Sequence, residues 1–325
     1  MGRVVLVTGV SHDGAALFAR HLVERSAELG LTRVVGVDTT LPTVDLGGAK
    51  FIRADIRTSA IGKVLAVEDV DTVVHLGVHP GRSTDAKEIN VIGTMQLLAA
   101  CQRAEHLRTF VLCSTTAVYG TSPRDPAVWN ESATARGGVK SGFPRQAIEV
   151  ESYVRGFARR RPDVEVTVLR LAQMVSAQFS SSFTSFLASP VTPMVAGFDP
   201  RLQFLHPDDA FRVIGDAAAG GHPGTFNVAG DGVLLLSQVA RMLGRPQLML
   251  PPVGQGPIMR RVMRLMGTDI TPDLHRLLTF GRVVDTTCLR EEFGADILTH
   301  STRQTLEQYA TTLRPGLWHL AGRPR

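Results

Sequence analysis

The chain has 325 residues, 44% of them hydrophobic, which is enough to bury one large core or a core domain with a smaller lobe and excludes a disordered chain. Its apolar runs are short and no basic segment precedes one at Met1-Gly2-Arg3, so neither a membrane span nor a secretory leader is expected, and the predicted location is cytoplasmic. The formal net charge of +5 is mostly arginine, with lysine only at Lys50, Lys63, Lys87 and Lys140; it comes with no nucleic-acid-binding motif and, although it suits a phosphorylated substrate, reads first as a solvated basic surface.

In chain order, short β-branched runs alternate with amphipathic stretches up to about residue 175. Strands are expected at Arg3–Thr8, Arg33–Asp38, Phe51–Ala54, Thr72–Leu76, Thr109–Ser114 and Val164–Leu171, with helices at Gly14–Ser26, Glu88–Ala104 and Phe143–Arg160 between them. Helical crossovers between such strands give a parallel sheet, so the predicted fold is α/β, a doubly wound parallel Rossmann-type sheet over residues 1–175. From Ser176 the pattern breaks into short segments punctuated by Ser189-Pro190, Thr192-Pro193 and Asp199-Pro200, and residues 176–325 are read as a smaller C-terminal substrate lobe. Its Pro257–Met266 stretch, rich in Met and Arg, reads as a core-facing helix with solvated arginines, with a lid or a lipid-facing helix as the alternative. Cys101, Cys113 and Cys288 are far apart and lack CxxC spacing, which argues against a disulfide framework or a metal site and reads as three buried thiols.

The first strand runs into Thr8-Gly9-Val10-Ser11-His12-Asp13-Gly14-Ala15 and then a helix. Such a turn offers backbone N–H groups and the positive end of a helix to a pyrophosphate, the arrangement of a dinucleotide site. In a GxxGxxG reading His12 takes the place of the second glycine and Ala15 that of the third. Either Gly14 serves in a reshaped turn, or His12 donates to a phosphate, or the grip is weakened. Asp38 ends the second strand, placed to accept from ribose hydroxyls or to cap the next turn. No arginine follows it to receive a 2′-phosphate, which favours NAD over NADP.

A run of further motifs resembles the NAD-dependent epimerase/dehydratase family of extended short-chain dehydrogenases/reductases. Arg53-Ala54-Asp55-Ile56 is similar to the family segment that meets the adenine, and Val74-His75-Leu76-Gly77 to the fourth strand beside the cofactor. Asn90-Val91-Ile92-Gly93-Thr94 resembles the helix whose Asn braces the active-site strand, and Ser114-Thr115-Thr116-Ala117-Val118-Tyr119-Gly120 the strand end that carries the catalytic Ser/Thr, here Thr115. Leu169-Arg170-Leu171-Ala172-Gln173-Met174, Phe204-Leu205-His206-Pro207-Asp208-Asp209-Ala210, Gly224-Thr225-Phe226-Asn227-Val228 and the segment from Arg282 to Gly294 continue the likeness in order. The resemblance implies cofactor contacts from Gly9, His12, Gly14, Asp38, Asp55, Ile56, Leu76 and Asn90, and substrate contacts from Gln173, His206 and Arg282. It also implies that residues 204–230 return to the Rossmann core, and a homodimer joined by the helices that begin near Glu88 and Phe143.

The family's Tyr-x-x-x-Lys pair is absent. Phe143 stands for the tyrosine and Ala147 for the lysine, and the residues four before the lysines are Leu46, Ser59, Ser83 and Arg136, so no register restores it. Phenylalanine has no proton to give, which leaves Thr115, Lys140, Arg145, His79 and Glu149 as candidates to replace it. Three readings follow: an NAD-linked epimerase or dehydratase of a nucleotide sugar or similar polar metabolite with a relocated acid/base, a non-redox isomerase, lyase or cyclase, and an inactive nucleotide sensor.

Overall fold

The computed structural model describes residues 2–76, 87–133, 142–252, 255–265, 267 and 270–313. Strands β1 (Arg3–Thr8), β2 (Leu31–Asp38), β3 (Lys50–Arg53), β4 (Thr72–His75), β5 (Thr109–Thr115) and β6 (Glu165–Leu171) form one sheet. Short pairs follow: β7 (Gln173–Met174) with β10 (Phe204–Leu205), β8 (Thr192–Val195) with β13 (Gln247–Leu250), and β9 (Arg201–Leu202) with β12 (Leu234–Leu235). Strand β11 (Gly224–Val228) returns to the main sheet and makes it seven-stranded, in the order β11-β6-β5-β4-β1-β2-β3. Every pairing within it is parallel. This is the doubly wound Rossmann-type α/β fold expected from the alternation of strands and helices. The predicted strands recur within a residue or two of their observed bounds.

Both faces of the sheet are covered. On one, Phe18 and Leu22 of the helix Asp13–Glu24 pack with Phe211, Ile214 and Ala217 of the helix Pro207–Ala219. On the other, Leu65, Leu97, Val150, Val154 and Phe157 pack beneath Tyr119 and Trp129. Burial on both faces is why these strands read as near-continuous apolar runs rather than alternating ones. A third cluster, including Phe186, Met194, Leu236, Leu277 and Tyr309, fills the region after Ser176. The Met-Arg helix spans Gln255–Leu265 and buries Met259 and Met263 there, while Arg261 and Arg264 face solvent.

Two expectations change. The helix predicted from Glu88 opens as a π-turn, Glu88–Gly93, before the α-helix Thr94–Cys101. Thr94 Oγ1 donates to the Asn90 carbonyl at 2.5 Å, and Ile56 lies so close that a Cβ on Gly93 would come within 2.9 Å of it. Of the three thiols, Cys101 and Cys113 are buried but Cys288 is exposed, because the helix Thr287–Phe293 turns only Leu289 inward. No described helix is long and apolar enough to cross a membrane.

Candidate functional site

In the strand order, β1 lies between β2 and β4, so successive crossovers leave it in opposite directions and open a crevice at its C-terminal end, with Thr8 paired to His75. Gly9 leaves β1 with φ 82, a conformation that favours glycine, and donates to the Val37 carbonyl at 3.0 Å. His12 is the N-cap of the helix Asp13–Glu24: its carbonyl accepts from Ala15 and Ala16 at 2.9 Å, and its side chain does not cap. The first-turn N–H groups are therefore not occupied by a capping side chain, which is what an anion at this helix end requires. Gly14 faces the ring of Phe179, which would meet a Cβ there at 3.8 Å.

Asp38 closes the crevice on the β2 side. Its Oδ2 accepts from Ser11 N at 2.9 Å and Ser11 Oγ at 2.6 Å, and its Oδ1 from Thr39 N at 2.6 Å. Thr39 Oγ1 adds a longer bond to Oδ1 at 3.3 Å, so all of the roughly four acceptor positions of the carboxylate are engaged, the one facing the Thr39 hydroxyl most weakly. Asp55 is held by Arg57, whose Nη2 donates to Oδ2 at 2.7 Å; this bond, working against burial, keeps the Asp55 carboxyl below its ordinary value. Ile56 abuts Gly93, and Leu76 follows β4, half-buried against the core. Asn90 donates from Nδ2 to Gln146 Oε1 at 2.7 Å, which ties it to the helix Phe143–Arg160.

Thr115 ends β5, and its Oγ1 accepts from Ala117 N at 3.2 Å. Phe143 opens its helix directly after Gly142 (φ 79) and packs on the core, while Ala147, one turn on, is wholly buried. Lys140 and His79, both candidates for the missing proton handler, lie outside the described residues. Arg145 is paired with Glu149 at 2.9 Å on the helix surface.

Beyond Thr115 lies a pocket lined by Thr116, Gln173, Gln203, Arg282 and apolar residues that include Phe183 and Leu277. It unites Gln173 and Arg282, far apart in sequence, because Gln173 leaves β6 and pairs with Phe204, while Arg282 bridges Leu202. The guanidinium donates from Nε to Thr116 Oγ1 at 3.2 Å and from Nη1 to the Gly120 carbonyl at 3.3 Å. Among the described residues no carboxylate pairs with it within 4.0 Å. Burial pushes it down to about 10, against the charges of Asp273 and Asp125. A cation so placed is set to receive an anionic ligand.

His206 stands apart from that pocket. It caps the helix Pro207–Ala219 by accepting from Asp208 N at 3.2 Å and stacks on His300 with ring centroids 3.9 Å apart. His206, Asp208 and His300 bring ligand-type atoms within 4.8 Å of one another, but stacked rings do not aim their in-plane lone pairs at one point. Asp209 beside them is buried; bonds from Thr299 and His300 outweigh the burial and hold its carboxyl below the ordinary value.

Two groups of this site escaped the sequence reading. Glu151, four residues past Ala147, and Arg170 form a buried ion pair under β5. Asp273, in the helix Pro272–Phe280, reaches Gly142. Glu151 sits in register with Val150 and Val154 on the buried face, a signal that was available; Asp273 had none.

Comparison with known proteins adds the following. The model of the NAD dependent epimerase/dehydratase family matches residues 5–229. An uncharacterized protein of Mycobacterium tuberculosis is 41% identical over 304 residues, covering 90% of this chain and 79% of its own. Among solved structures, a dTDP-glucose 4,6-dehydratase from Bacillus anthracis in complex with NAD is similar with TM-score 0.72 and 15% identity, covering 99% of this chain and 97% of that one. A UDP-glucose 4-epimerase from Thermotoga maritima with UDP-glucose gives TM-score 0.70 and 17% identity over 95% and 97% of the two chains.

Proposed function

The chain belongs to the NAD dependent epimerase/dehydratase family, and from that premise we propose that it binds NAD and acts, in the cytoplasm, on a nucleotide sugar or a similar polar metabolite without the usual Tyr-Lys pair. The observation that carries this reading is that the parallel sheet sets the helix end after His12, Asp38 and Thr115 at the C-terminal ends of β1, β2 and β5. The uncapped helix end and Asp38 lie at the crevice beside β1, Thr115 ends β5, and the Gln173–Arg282 pocket lies beyond it. The first-turn N–H groups after His12 would hold the pyrophosphate and Asp38 the adenosine ribose. Bound NAD would supply a hydride acceptor at the sugar carbon. Thr115 Oγ, with its lone pair partly engaged by Ala117 N, keeps its O–H to donate to a substrate oxygen. Arg282 would hold the diphosphate, and Gln173 a neighbouring polar group.

The similar structures solved with NAD and with UDP-glucose support this choice of cofactor and substrate class. We further read the protein as a homodimer, because Ile89, Ile92, Met95 and Tyr153 leave an apolar strip exposed on the two helices expected to pair. A non-redox reading is favoured by one observation: Ala147 is fully buried, and the lysine that steadies the ribose and the phenol has no counterpart there.

The test is direct. Purified protein should carry NAD or NADH by mass and absorbance, or gain thermal stability with millimolar NAD. It should turn over one of UDP-glucose, dTDP-glucose or UDP-glucuronic acid. A protein that NAD does not stabilise would overturn the redox reading; one that binds NAD and converts a sugar with no transient reduced nicotinamide supports the non-redox one.

A further inference from the structure

The phenol and ammonium that ordinarily move a proton in this family are replaced by Phe143 and Ala147, and the Asp273 carboxyl group comes close to the residue before Phe143. Asp273 lies in the first turn of the helix Pro272–Phe280. Thr271 Oγ1 already caps that helix, accepting from Leu274 N at 3.2 Å, so Asp273 is not needed as its cap. Asp273 Oδ2 lies 2.9 Å from where a Cβ on Gly142 would stand, and Gly142 immediately precedes Phe143. Any side chain at 142 would press on this carboxylate, and its φ of 79 already favours glycine, so the close approach depends on that residue. Asp273 is half-buried and makes no hydrogen bond or ion pair with another described residue. The charged groups that face it are Arg276 on its own helix and Arg282 across the pocket. Withdrawing a carboxyl from water without a partner costs stability, and a reactive group is one reason a fold keeps that arrangement.

We propose that Asp273 is the acid/base of this active site, exchanging at Oδ2 the proton of the substrate hydroxyl in place of the phenol absent at Phe143. This rests on the NAD-linked reading above. In the oxidising direction the substrate O–H bond breaks and its proton goes to Asp273 Oδ2; NAD, held at the helix end after His12 and by Asp38, would supply the acceptor for the hydride that leaves the carbinol carbon. The carbinol becomes a ketone, and the return step reverses both transfers. Burial pushes the carboxyl above its ordinary value, with Arg276 and Arg282 drawing it back, which moves its titration toward the working pH of an acid/base.

The experiment uses the full chain with Asp273→Asn and Asp273→Glu. Without turnover, the Asp273 carboxyl is followed by carbon-13 NMR, assigned by its loss in Asp273→Asn, with and without UDP-glucose and NAD. A midpoint above that of free aspartate that moves when UDP-glucose binds is expected; an ordinary midpoint indifferent to both ligands overturns the proposal, even if no turnover is found. With turnover, Asp273→Asn should lower kcat at least ~100-fold and abolish the acidic limb of the pH profile, leaving KM and NAD affinity unchanged, and Asp273→Glu should restore part of kcat. Wild-type kcat in Asp273→Asn would discard Asp273 while leaving the functional reading intact. A wild-type protein without NAD binding or turnover would instead discard that reading.

Discussion

Glu151 grips Arg170 through two bonds, Oε1 from Nε at 3.0 Å and Oε2 from Nη2 at 2.7 Å, with both side chains almost wholly excluded from solvent. The pair is the hub of a network: Ser114 Oγ donates to Glu151 at 2.7 Å, Arg170 Nη1 donates to Tyr119 OH at 2.8 Å, and that hydroxyl donates to Asn227 Oδ1 at 2.8 Å. It therefore ties the Phe143 helix to β5, β6 and β11 directly beneath Thr115. Replacing Glu151 by Ala leaves a buried guanidinium without its counter-ion, so stability should fall by about 3–5 kcal/mol. Urea unfolding of Glu151→Ala measures this. The double variant Glu151→Leu with Arg170→Met, which removes both charges, should recover part of the loss. A single variant as stable as the wild type would show the network to be incidental.

The legible part of this molecule is the part with a period. The β-branched runs gave the sheet, and the helix expected at Phe143–Arg160 has those bounds in the structure. Of the residues expected at the site, Gly9, Asp38 and Thr115 stand where the strand pattern put them, just after β1 and at the ends of β2 and β5. Gln173 and Arg282 were named separately, but their meeting depends on short pairings around β9 and β10 that no local pattern announces. The π-turn at Glu88–Gly93 escaped for a related reason: it is imposed by Ile56 and the Thr94 hydroxyl, contacts set by packing and not by propensity. His206, named for a substrate contact, caps its helix and stacks on His300, a contact that no local pattern announces.

His75 connects β4 to its neighbours inside the fold, with one ring nitrogen 2.8 Å from Thr8 Oγ1 and the other 2.8 Å from Thr94 Oγ1. It is fully buried, and burial pushes it down to about 4 from an ordinary 6.5. The unfolded chain therefore takes up a proton that the folded one refuses. Its contribution to stability is complete above pH 6.5 and is lost as the pH falls from there toward 4, by up to about 3 kcal/mol. Denaturant midpoints measured across that window should decline in the wild type. His75→Gln, which cannot titrate, should be weaker at neutral pH but lack that part of the slope; equal slopes would place the acid sensitivity elsewhere.

Arg282 uses Nε and one Nη on Thr116 and Gly120, and it is the cation of the Gln173 pocket. Arg282→Ala should weaken UDP binding by roughly 10–100-fold, the worth of one or two charge-assisted hydrogen bonds, while leaving NAD affinity unchanged. Arg282→Lys should recover charge but not the fork geometry, and so only part of the affinity. Calorimetric titration with UDP, and separately with NAD, measures both. A loss shared equally by the two ligands would point to a collapsed pocket and not to a missing contact.

The exposed strip on the Glu88 and Phe143 helices bears on assembly. Ile89, Ile92 and Met95 recur three residues apart and are 40%, 47% and 44% exposed, and Tyr153 on the neighbouring helix is 38% exposed, so both helices carry large apolar groups into water. Isolated exposed apolar residues are ordinary, but a contiguous strip on two packed helices is costly in water and fits a self-complementary two-fold contact. In such a contact a substitution acts twice, once from each copy. Ile92→Glu should therefore place two carboxylates in the interface and raise the dimer dissociation constant by roughly 100-fold or more. Light scattering during size-exclusion chromatography should then show the variant as a monomer at concentrations where the wild type is a dimer, with circular dichroism unchanged. A wild type that is itself monomeric at high concentration, or a variant that stays dimeric, would exclude this face as the interface.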